Sequence, residues 1–470
     1  MDYQDFVLKE KSLLVAPAGF GKTYTIAKCL EFTQGRQLVL THTQAGVASL
    51  REKIKSNGID PRKYRIQTIM SYAQKYVNAF YVGKDVPDQE TKAYWPFILE
   101  KATALLRLKL ITDIIKATYC GLFVDEYQDC TISQHKFIAS ISSNMPTHIL
   151  GDPLQGIFDF NKEKLVIFDE DLKDYIKNKV QLTEPQRWMR GNNLRLGECL
   201  HEIRGKLERR ENLDLGEYDS VIEVEIAGEN SSYISHKKIW DLIDGEDSLL
   251  ILHPDSFSIG ARLRITKIYR NLIYLVESID SGDFYKLAKM LDSMSIQNVG
   301  NILKKISYKL FNSGELDKWF SESPKKYFKD KTVDAEQKKV KPISELFGIL
   351  KVKTSFSLFS MILREIYSLA NKKCFRKELF FDLCTALNQA DENTSVYNAM
   401  KTLRNHRRIM GRKIYGKCIG TTLLTKGLEA DVVVVLDAHK FKDPKNIYVA
   451  LTRASKKLVV YSRDRVLSPY

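Results

Sequence analysis

The sequence predicts an α/β protein in which buried strands alternate with helices. Three segments lead to this prediction, because in each of them an apolar run typical of a buried strand ends in a turn of small or polar residues: "SLLVAPAGFGKTYTIAKCL", "LFVDEYQD" and "THILGDPLQGIFDF". In the first segment, residues 13–15 read as the strand and the chain from Tyr24 onward reads as a helix. This order of strand, turn and helix is typical of α/β folds.

Size and composition indicate a globular protein of several domains. The 470 residues are 44% hydrophobic and 28% charged, and a prior of roughly 100–200 residues per domain predicts two to four domains. No apolar run approaches the length of a membrane span, and the first residues, "MDYQDFVLKEK", lack the order of a signal peptide. We therefore expect a cytoplasmic protein. The seven cysteines form no C-x-x-C pair, which argues against a zinc, iron–sulfur or disulfide framework.

The net charge of +15 and the pI near 9.2 leave two interpretations open. One is a polyanionic partner, of which nucleic acid is the commonest. The other is a generally basic surface that keeps the protein soluble. Residues 401–417, "KTLRNHRRIMGRKIYGK", present the same choice between contact with a phosphate backbone and a solvated face.

Residues 16–24 have the pattern of a loop that binds phosphate. Gly19 and Gly21 let backbone N–H groups approach phosphate oxygens without a Cβ in the way. Lys22 is expected to reach the β- and γ-phosphates, and the hydroxyl of Thr23 is expected to bind magnesium. The alternative is a glycine-rich turn with a chance Lys-Thr pair. On the phosphate-loop interpretation, nine residues bind the nucleotide: Ala16, Pro17, Ala18, Gly19, Phe20, Gly21, Lys22, Thr23 and Tyr24.

The segment "LFVDEYQD" carries three carboxylates in five positions at the end of a strand. Clustered carboxylates repel one another unless a cation or a chemical role keeps them there. A phosphate loop predicts such an acidic strand end downstream, where Asp125 binds the metal and Glu126 deprotonates the attacking water. These two motifs predict an NTPase, a class that includes kinases, motors and switches.

Eight segments narrow this class through their order. They are "APAGFGKT", "LTHTQAGVASLREKI", "IQTIMSYAQKY", "FVDEYQD", "GDPLQGIF", "EPQRW", "TTLLTKGLE" and "VALTRA", which span residues 16 to 454. By these motifs the chain resembles the UvrD/Rep/PcrA-type helicases of superfamily one. "DEYQD" and "TKGLE" look like the UvrD branch, whereas the RecD/Pif branch usually carries a different second and fifth motif. In this family alanine replaces the first loop glycine, as Ala16 does here.

The resemblance implies two RecA-like P-loop NTPase domains, with parallel sheets flanked by helices, mainly helical insertions, and ATP with Mg²⁺ in the cleft between the domains. The residues that it assigns to catalysis are Glu126, Gln155, Arg187 and Arg453. Arg187 and Arg453 would act as arginine fingers, and Gly427 and Glu429 would lie near the nucleotide. Gln128 and Asp129 would support these groups. Stabilising charge on a transferring phosphate gives large rate factors.

The resemblance also implies a path for single-stranded DNA across both domains. The family positions that touch DNA map onto Thr41, His42, Thr68, Phe160 and Thr421. Stacking a base on Phe160 or His42 contributes roughly 1–3 kcal/mol and is indifferent to sequence. A core aromatic is the alternative reading of Phe160.

The expected layout has four parts. Residues 1–75 and 118–190 form the first RecA-like domain, and residues 76–117 form a small helical insertion. Residues 191–274 and 401–470 form the second RecA-like domain, into which residues 275–400 insert as helices.

Three departures from the family pattern bear on function. Gln186 stands where the family has a tyrosine that stacks on adenine, which leaves two interpretations: base selectivity is loose, or Trp188 substitutes. Met70 and Leu423 replace histidines of the DNA-facing motifs. The main prediction is an ATP-dependent DNA helicase that moves 3′–5′. The alternative, favoured by Met70 and Leu423, is a DNA-stimulated ATPase that acts as a nucleotide-gated sensor or assembly subunit. Compact helicases of this kind resemble the subunit that pairs with a nuclease partner in Gabija-type phage defence.

Overall fold

The computed structural model describes residues 1–87, 91, 93–157, 163–226, 237–254, 259–270, 272–276, 282–321, 327–370, 374, 376–410 and 416–470. Within these ranges, residues 45, 282, 283 and 404–410 are described by their backbone alone. The predicted DNA-contacting residue Phe160 lies outside the described residues. The chain divides into two compact units: Met1–Ser231, Ile409–Lys413 and Thr425–Tyr470 form the first, and Ser232–Arg408 and Ile414–Leu424 form the second. The domain boundaries expected from the sequence stay a prediction.

The first unit begins with alternating strands and helices. In chain order they are α1 (Tyr3–Leu8), β1 (Lys11–Val15), α2 (Lys22–Phe32), β2 (Gln37–Thr41), α3 (Gln44–Ser56), β3 (Tyr64–Thr68), α4 (Ile69–Phe80), α5 (Tyr94–Leu105), α6 (Lys109–Thr118), β4 (Gly121–Val124), α7 (Ile132–Ser142), β5 (Thr147–Gly151), α8 (Phe168–Asp171), α9 (Lys173–Ile176), β6 (Lys179–Gln181), α10 (Gln186–Arg190), α11 (Leu194–Glu208), β7 (Leu213–Asp214) and β8 (Glu223–Ile226).

Six of these strands form one parallel sheet in the order β3-β2-β4-β5-β1-β6. The register pairs Val15 with Gly151 and Thr41 with Thr68, so the carboxyl ends of these strands lie at the same edge. Helices cover both faces, which explains the continuous apolar runs in the strands. Leu13 packs into one hydrophobic cluster, and Leu14 packs into the other on the opposite face.

Local signals in the sequence explain where several helices begin. Thr131 starts α7 with a capping box, because its hydroxyl accepts from the backbone N–H of Gln134 and the Gln134 side chain accepts from the backbone N–H of Thr131. Thr43 and Thr68 cap α3 and α4 in the simpler way, each accepting one backbone N–H. The order of strand, cap and helix thus repeats along the sheet edge.

The first unit is completed by the C-terminal residues. They form β12 (Ala430–Val435), α21 (Pro444–Leu451), β13 (Ala454–Ser462) and β14 (Val466–Leu467). Strand β13 lies between β12 and β8, and all three are parallel. Strand β14 pairs with β7 in antiparallel orientation.

The second unit contains a small parallel sheet and a group of helices. Its elements are α12 (Lys237–Gly245), β9 (Leu249–Leu252), α13 (Ile259–Ile268), β10 (Tyr274–Leu275), α14 (Gly282–Asp292), α15 (Val299–Leu310), α16 (Ser313–Leu316), α17 (Asp334–Val352), α18 (Phe356–Leu369), α19 (Lys377–Gln389), α20 (Val396–Met410) and β11 (Lys417–Gly420). Strand β11 lies between β10 and β9. A buried cluster that includes Phe311, Phe359 and Phe380 joins the helices.

The predicted fold class, α/β with parallel sheets flanked by helices, is confirmed. All seven cysteines are free thiols, six of them buried and Cys120 exposed, as expected from their scattered positions. Within the described part of the chain, no helix combines the length and the apolar character needed to cross a membrane.

Candidate functional site

The phosphate loop predicted from the sequence runs from the end of β1 to the start of α2. Gly19 and Gly21 have φ values of +78° and +90°, a region that residues with a Cβ rarely adopt. Gly21 caps α2, so Lys22 is the first residue of the helix. Thr23 is half-buried and Tyr24 is exposed. The turn that two glycines allow therefore places Lys22 at the sheet edge where the strands end.

Trp188 packs directly against the loop and gives Gly19 a second reason to lack a side chain. A Cβ on Gly19 would lie 2.8 Å from Cζ3 of Trp188 and 3.0 Å from Cβ of Arg187. The backbone N–H of Arg187 donates to the carbonyl of Gly19 at 2.9 Å. The indole N–H of Trp188 donates to the carbonyl of Ala454 at 2.9 Å, and the ring is buried. The ring that the sequence offered as a stacking surface for adenine is thus already packed against protein.

Lys22 lies between the two carboxylates at the end of β4. Its Nζ is 2.7 Å from Oε2 of Glu126 and 3.6 Å from Oδ1 of Asp125. Burial alone would lower the pKa of Lys22, but the two carboxylates raise it. Burial raises the pKa of Asp125, and Lys22 opposes that shift. Burial would also raise the pKa of Glu126, but Lys22 and Lys426 together lower it, so Glu126 is ionised at neutral pH.

Glu126 adopts a backbone conformation that is uncommon for a residue with a side chain. Its φ is +58°, in the left-handed region. Its backbone N–H donates to Oδ1 of Asp125 at 2.9 Å, and the amide of Gln128 donates to its carboxylate. Strain of this kind costs of order 1–3 kcal/mol and persists where surrounding contacts hold it, often at functional sites.

Gln155 follows β5 on a short 3₁₀ turn, Pro153–Gln155. Its side-chain amide donates to Oδ2 of Asp152 at 2.7 Å. The backbone N–H of Asp152 in turn donates to Oε1 of Gln128 at 2.9 Å. Because Gln128 also donates to Glu126, the two acidic strand ends are joined through amide side chains. The supporting role of Gln128 in catalysis stays a prediction.

Lys426 contacts the same two strand ends from a distant part of the sequence. Its Nζ donates to Oδ2 of Asp129 at 2.6 Å and also to the carbonyl of Gln155. Burial raises the pKa of Asp129 to about 7 against the opposing effect of Lys426. Burial lowers the pKa of Lys426, opposed by Asp129 and Glu126. Asp129 therefore has a specific cationic partner, Lys426, and its supporting role stays a prediction.

The two predicted arginine fingers differ in their contacts. Arg187 donates from Nε to Oε2 of Glu429 at 2.7 Å and from Nη1 to the carbonyl of Thr452. Arg453 is buried and donates to the carbonyls of Val449 at 2.9 Å and Leu428 at 3.1 Å. Burial, reinforced by Arg187, lowers the pKa of Arg453 to about 10. Burial would raise the pKa of Glu429, but Arg187 lowers it.

Gly427 lies between these groups in the chain and has a φ of +79°. The turn that it permits joins Lys426 to Glu429, so one lysine contacts Asp129 while one carboxylate contacts Arg187. The structure therefore brings together, within the first unit, the predicted residues that follow β1, β4 and β5 and those of the C-terminal motifs.

The residues predicted to hold magnesium offer oxygen donors, which that ion prefers. Asp125 is almost fully buried at the strand end, and its cationic neighbour Lys22 is 3.6 Å away. A buried carboxylate with a raised pKa gains from a nearby divalent cation. Mg²⁺ is usually bound through one or two carboxylates together with substrate phosphates. Asp125 with the hydroxyl of Thr23 fits this ion, although within the described residues no three His, Cys, Asp or Glu side chains form a metal-binding group.

The predicted DNA-contacting residues fall into three situations. Thr41, His42 and Thr68 lie at the carboxyl ends of β2 and β3, on the same edge as the phosphate loop. Thr421 belongs to the second unit and is buried. The last, Phe160, lies outside the described residues.

The three residues on the sheet edge make different contacts. The Thr68 hydroxyl caps α4 by accepting from the backbone N–H of Ser71 at 3.0 Å. Thr41 is fully buried, and among the described residues its hydroxyl has no hydrogen-bond partner. His42 Nε2 is 3.3 Å from Sγ of Cys130, and burial, with Lys426 as a lesser cause, lowers the pKa of His42 to about 3.

Three polar residues at the site were not singled out from the sequence. Lys426 lies inside "TKGLE" and Tyr448 directly precedes "VALTRA", so both had a motif beside them. Arg204 lies on α11, whose sequence carries no signal for a functional role. Its guanidinium donates to Oδ1 of Asp152 at 2.6 Å and to the hydroxyl of Tyr448 at 3.2 Å.

Comparison with known proteins gives one family match. Residues 4–161, about a third of the chain, match a family model described as an AAA domain. This range contains the phosphate loop and the acidic strand end described above. No curated protein matches the sequence.

Three solved helicase structures share remote similarity with the chain. Nonstructural protein 10, a helicase of an arterivirus, in complex with DNA, is 12% identical with a TM-score of 0.36, and the match covers 97% of this chain and 63% of that chain. A second structure of this arterivirus helicase is 11% identical with a TM-score of 0.31, covering 97% and 61%. Pif1 of a Bacteroides species, in complex with ADP-AlF4, is 13% identical with a TM-score of 0.29, covering 53% and 52%. The chain thus spans about three fifths of the viral helicase and about half of Pif1.

Proposed function

We propose that this chain is an ATP-dependent DNA helicase or translocase that moves 3′–5′ along single-stranded DNA and unwinds duplexes. One observation carries the proposal: residues 426–453 meet the phosphate loop and the acidic strand ends. Arg187 contacts Glu429 at 2.7 Å, Lys426 contacts Asp129 at 2.6 Å, and the backbone N–H of Ala18 donates to Tyr448 at 3.2 Å. A simple kinase would need the loop but none of these distant partners.

ATP is the substrate, with its phosphates on the backbone N–H groups of residues 21–23. Lys22, which now lies between Asp125 and Glu126, would turn to the β- and γ-phosphates, because three or four negative charges attract it more strongly than two carboxylates. Asp125 and Thr23 would hold Mg²⁺. That ion, when bound, neutralises charge on the phosphate oxygens.

Glu126 is the group that accepts the proton of the attacking water. Its carboxylate is ionised at neutral pH and is half-buried beside the loop. Removing Lys22 from its side makes Glu126 a stronger base, since the cation that lowers its pKa has moved to the phosphates. Nucleotide binding thereby prepares the base for hydrolysis.

Arg187 and Arg453 supply positive charge for the transferring phosphate. Arg187 is held by an exposed carboxylate, Glu429, whose side chain is 62% exposed, so this contact exchanges easily for a phosphate. Arg453 is anchored by two carbonyls and contributes a fixed positive field. Charge stabilisation of this kind is the largest catalytic factor in phosphoryl transfer.

Single-stranded DNA is the second substrate. The net charge of +15 favours a polyanion, and His42 and Thr68 lie at the sheet edge that carries the phosphate loop. Lys426 contacts both Asp129 and the carbonyl of Gln155. A movement of either strand end would therefore shift Lys426 and the segment that carries Glu429. This contact is a route by which hydrolysis moves the DNA-binding surface.

The test is the ATPase rate with and without single-stranded DNA, beside strand displacement on duplexes with a 3′ or a 5′ tail. We expect DNA-stimulated hydrolysis and displacement only of the 3′-tailed duplex. Displacement of the 5′-tailed duplex alone would overturn the polarity. Absence of stimulation by DNA would overturn the translocase proposal.

A second function is favoured by Met70 and Leu423. Met70 packs against the hydrophobic core of the first unit, and Leu423 is 40% exposed, so neither offers a polar group to DNA. The chain would then act as a DNA-stimulated ATPase that senses DNA or assembles with a nuclease partner, as in antiviral defence. Stimulated hydrolysis without displacement of either duplex supports this second function over the first.

A further inference from the structure

Arg204 is a charged residue in a buried environment. Its side chain is only 3% exposed, and a buried cation is destabilising unless it is paired and hydrogen-bonded. Its partners are Oδ1 of Asp152 at 2.6 Å, Oε1 of Glu208 at 2.8 Å and the hydroxyl of Tyr448 at 3.2 Å. Burial would lower the pKa of Arg204, but the neighbouring Asp152 and Tyr448 raise it.

The contacts of Arg204 lead to both sides of the candidate site. In one direction, the hydroxyl of Tyr448 accepts from Arg204 and from the backbone N–H of Ala18 in the phosphate loop. In the other direction, Oδ2 of Asp152 accepts from the amide of Gln155 at 2.7 Å. The guanidinium thus stands in the middle of one continuous hydrogen-bonded path from the phosphate loop to Gln155.

The same path continues to the base. The backbone N–H of Asp152 donates to Oε1 of Gln128 at 2.9 Å, and the other end of that amide donates to Glu126. A change in the position of Asp152 is therefore transmitted to Gln155 through its carboxylate and to Glu126 through its backbone. Arg204, Asp152 and Tyr448 are the residues of this path that have no role in the proposed nucleotide-binding or catalytic set.

We propose that Arg204 and Tyr448 are positioning residues for ATP hydrolysis. Arg204 fixes Asp152, whose carboxylate orients Gln155 and whose backbone N–H orients Gln128, and Tyr448 ties this group to the phosphate loop. The inference rests on the proposed ATPase function. It deepens that function by naming residues outside the nucleotide-binding motifs.

The chemistry of the guanidinium explains why this position holds arginine. Its planar fork donates to several acceptors at fixed angles, whereas a lysine ammonium is a compact charge on a flexible stem. Lysine at position 204 would keep the positive charge beside Asp152 but would lack the second nitrogen, which contacts Glu208 while Nη1 contacts Asp152 and Tyr448. Misplacement of about 1 Å away from the reacting atoms lowers rates by up to about 100-fold.

The main experiment compares Arg204→Lys and Tyr448→Phe with the wild type at saturating single-stranded DNA. We measure kcat, the affinity for a fluorescent ATP analogue, and the melting temperature. Arg204→Lys is expected to lower kcat by about tenfold or more while nucleotide affinity changes by less than about threefold. Tyr448→Phe removes one hydroxyl and is expected to lower kcat by about threefold to tenfold.

The double variant separates positioning from general stability. Because both residues act along one path, Arg204→Lys/Tyr448→Phe should lower kcat little further than Arg204→Lys alone. Matched controls are Arg209→Lys, an exposed arginine beside the end of α11, and Tyr218→Phe, a tyrosine whose hydroxyl contacts Glu202 at 3.3 Å. Both controls should keep the wild-type kcat.

Several outcomes would overturn the inference. The first is a kcat of Arg204→Lys within about twofold of wild type. The second is a double variant whose loss in kcat equals the product of the two single losses. The third is a loss in nucleotide affinity and melting temperature large enough to account for the loss in kcat. If Arg204→Lys does not fold, an unchanged kcat in Tyr448→Phe overturns the inference. A wild-type protein without ATPase activity would overturn the proposed function as well, whereas an active wild type with active variants overturns this inference alone.

Discussion

Lys426 donates to the Asp129 carboxylate, with Nζ 2.6 Å from Oδ2, although the two residues are 297 positions apart. Both side chains are buried, at 7% and 1% exposure. Removing one partner of such a pair leaves an uncompensated buried charge, which costs about 3–5 kcal/mol. We therefore expect Lys426→Met to lower the free energy of unfolding by about this amount, measured by urea denaturation at pH 8.

A double variant tests whether the unpaired charge is the cause of the lost stability. Lys426→Met/Asp129→Asn removes both charges and should recover part of the loss, since no unpaired charge remains. Lys456→Met, which breaks the exposed pair with Asp431, should change little. A Lys426→Met protein as stable as wild type would mean that the pair contributes nothing.

Lys22→Ala should abolish ATP hydrolysis. The change removes the only side chain of the loop that reaches the phosphates with a full charge, and it leaves Asp125 and Glu126 facing each other without their shared cation. The measurement is phosphate release in the presence of DNA. Lys28→Ala on the same helix, where the lysine pairs with Glu31 near the surface, is the control and should hydrolyse ATP normally. Measurable turnover by Lys22→Ala would contradict the assignment of the loop.

Glu126→Gln should bind ATP and fail to cleave it. Glutamine keeps the size of the side chain and a contact with Gln128 but cannot accept the proton of the attacking water, a loss of about 100- to 10,000-fold. Nucleotide affinity should stay equal or improve, because Lys22 loses the carboxylate that competes with the phosphates. Affinity and single-turnover rate are measured on the same preparation. Normal turnover would show that another group is the base.

Gly19→Ala should destabilise the protein more than Gly58→Ala. Both glycines have a positive φ, +78° and +74°, so each alanine carries about 1–2 kcal/mol of backbone strain. The Cβ at position 19 would also meet Trp188 at 2.8 Å, whereas nothing described lies within 4 Å at position 58. Overpacking adds about 1–3 kcal/mol at position 19 alone. Equal unfolding free energies for the two variants would show that Trp188 moves aside freely.

Stability should fall in mild acid through His148. Burial lowers its pKa from 6.5 to about 4, and Nδ1 lies 2.7 Å from the Ser12 hydroxyl. Well above pH 6.5 the ring is neutral in both folded and unfolded chains, so its full contribution is present there. As the pH falls from 6.5 towards 4, the unfolded chain binds a proton that the folded chain resists, and about 3 kcal/mol is lost.

The check on His148 is a difference between two pH profiles. His148→Gln removes the titrating group, so the variant should lose less stability than wild type between pH 7 and pH 5, measured by urea denaturation. Its absolute stability at pH 7 is not the criterion, since the substitution also changes packing. Parallel profiles for the two proteins would rule out His148 as the source of acid sensitivity.

Local patterns in the sequence were enough to predict much of the site. Residues 13–15 and the glycines after them predict the strand, loop and helix, because short-range sterics determine where a chain turns. The acidic residues after β4 were predicted to lie near the loop, and Asp125 and Glu126 do lie beside Lys22. Arg187 and Glu429 were predicted to lie near the nucleotide, but their mutual contact at 2.7 Å was not.

The sequence by itself determined the α/β class and the glycine-containing turn between β1 and α2, since both follow from hydrophobic periodicity and backbone freedom over a few residues. The tertiary structure alone decided which charges and buried polar groups meet. Asp129 is paired by Lys426, Asp152 by Arg204, and Ala18 contacts Tyr448 across 430 residues of sequence. Such pairs depend on how elements pack, because a buried charge needs a partner in space and its neighbours in sequence do not reveal which residue that partner is.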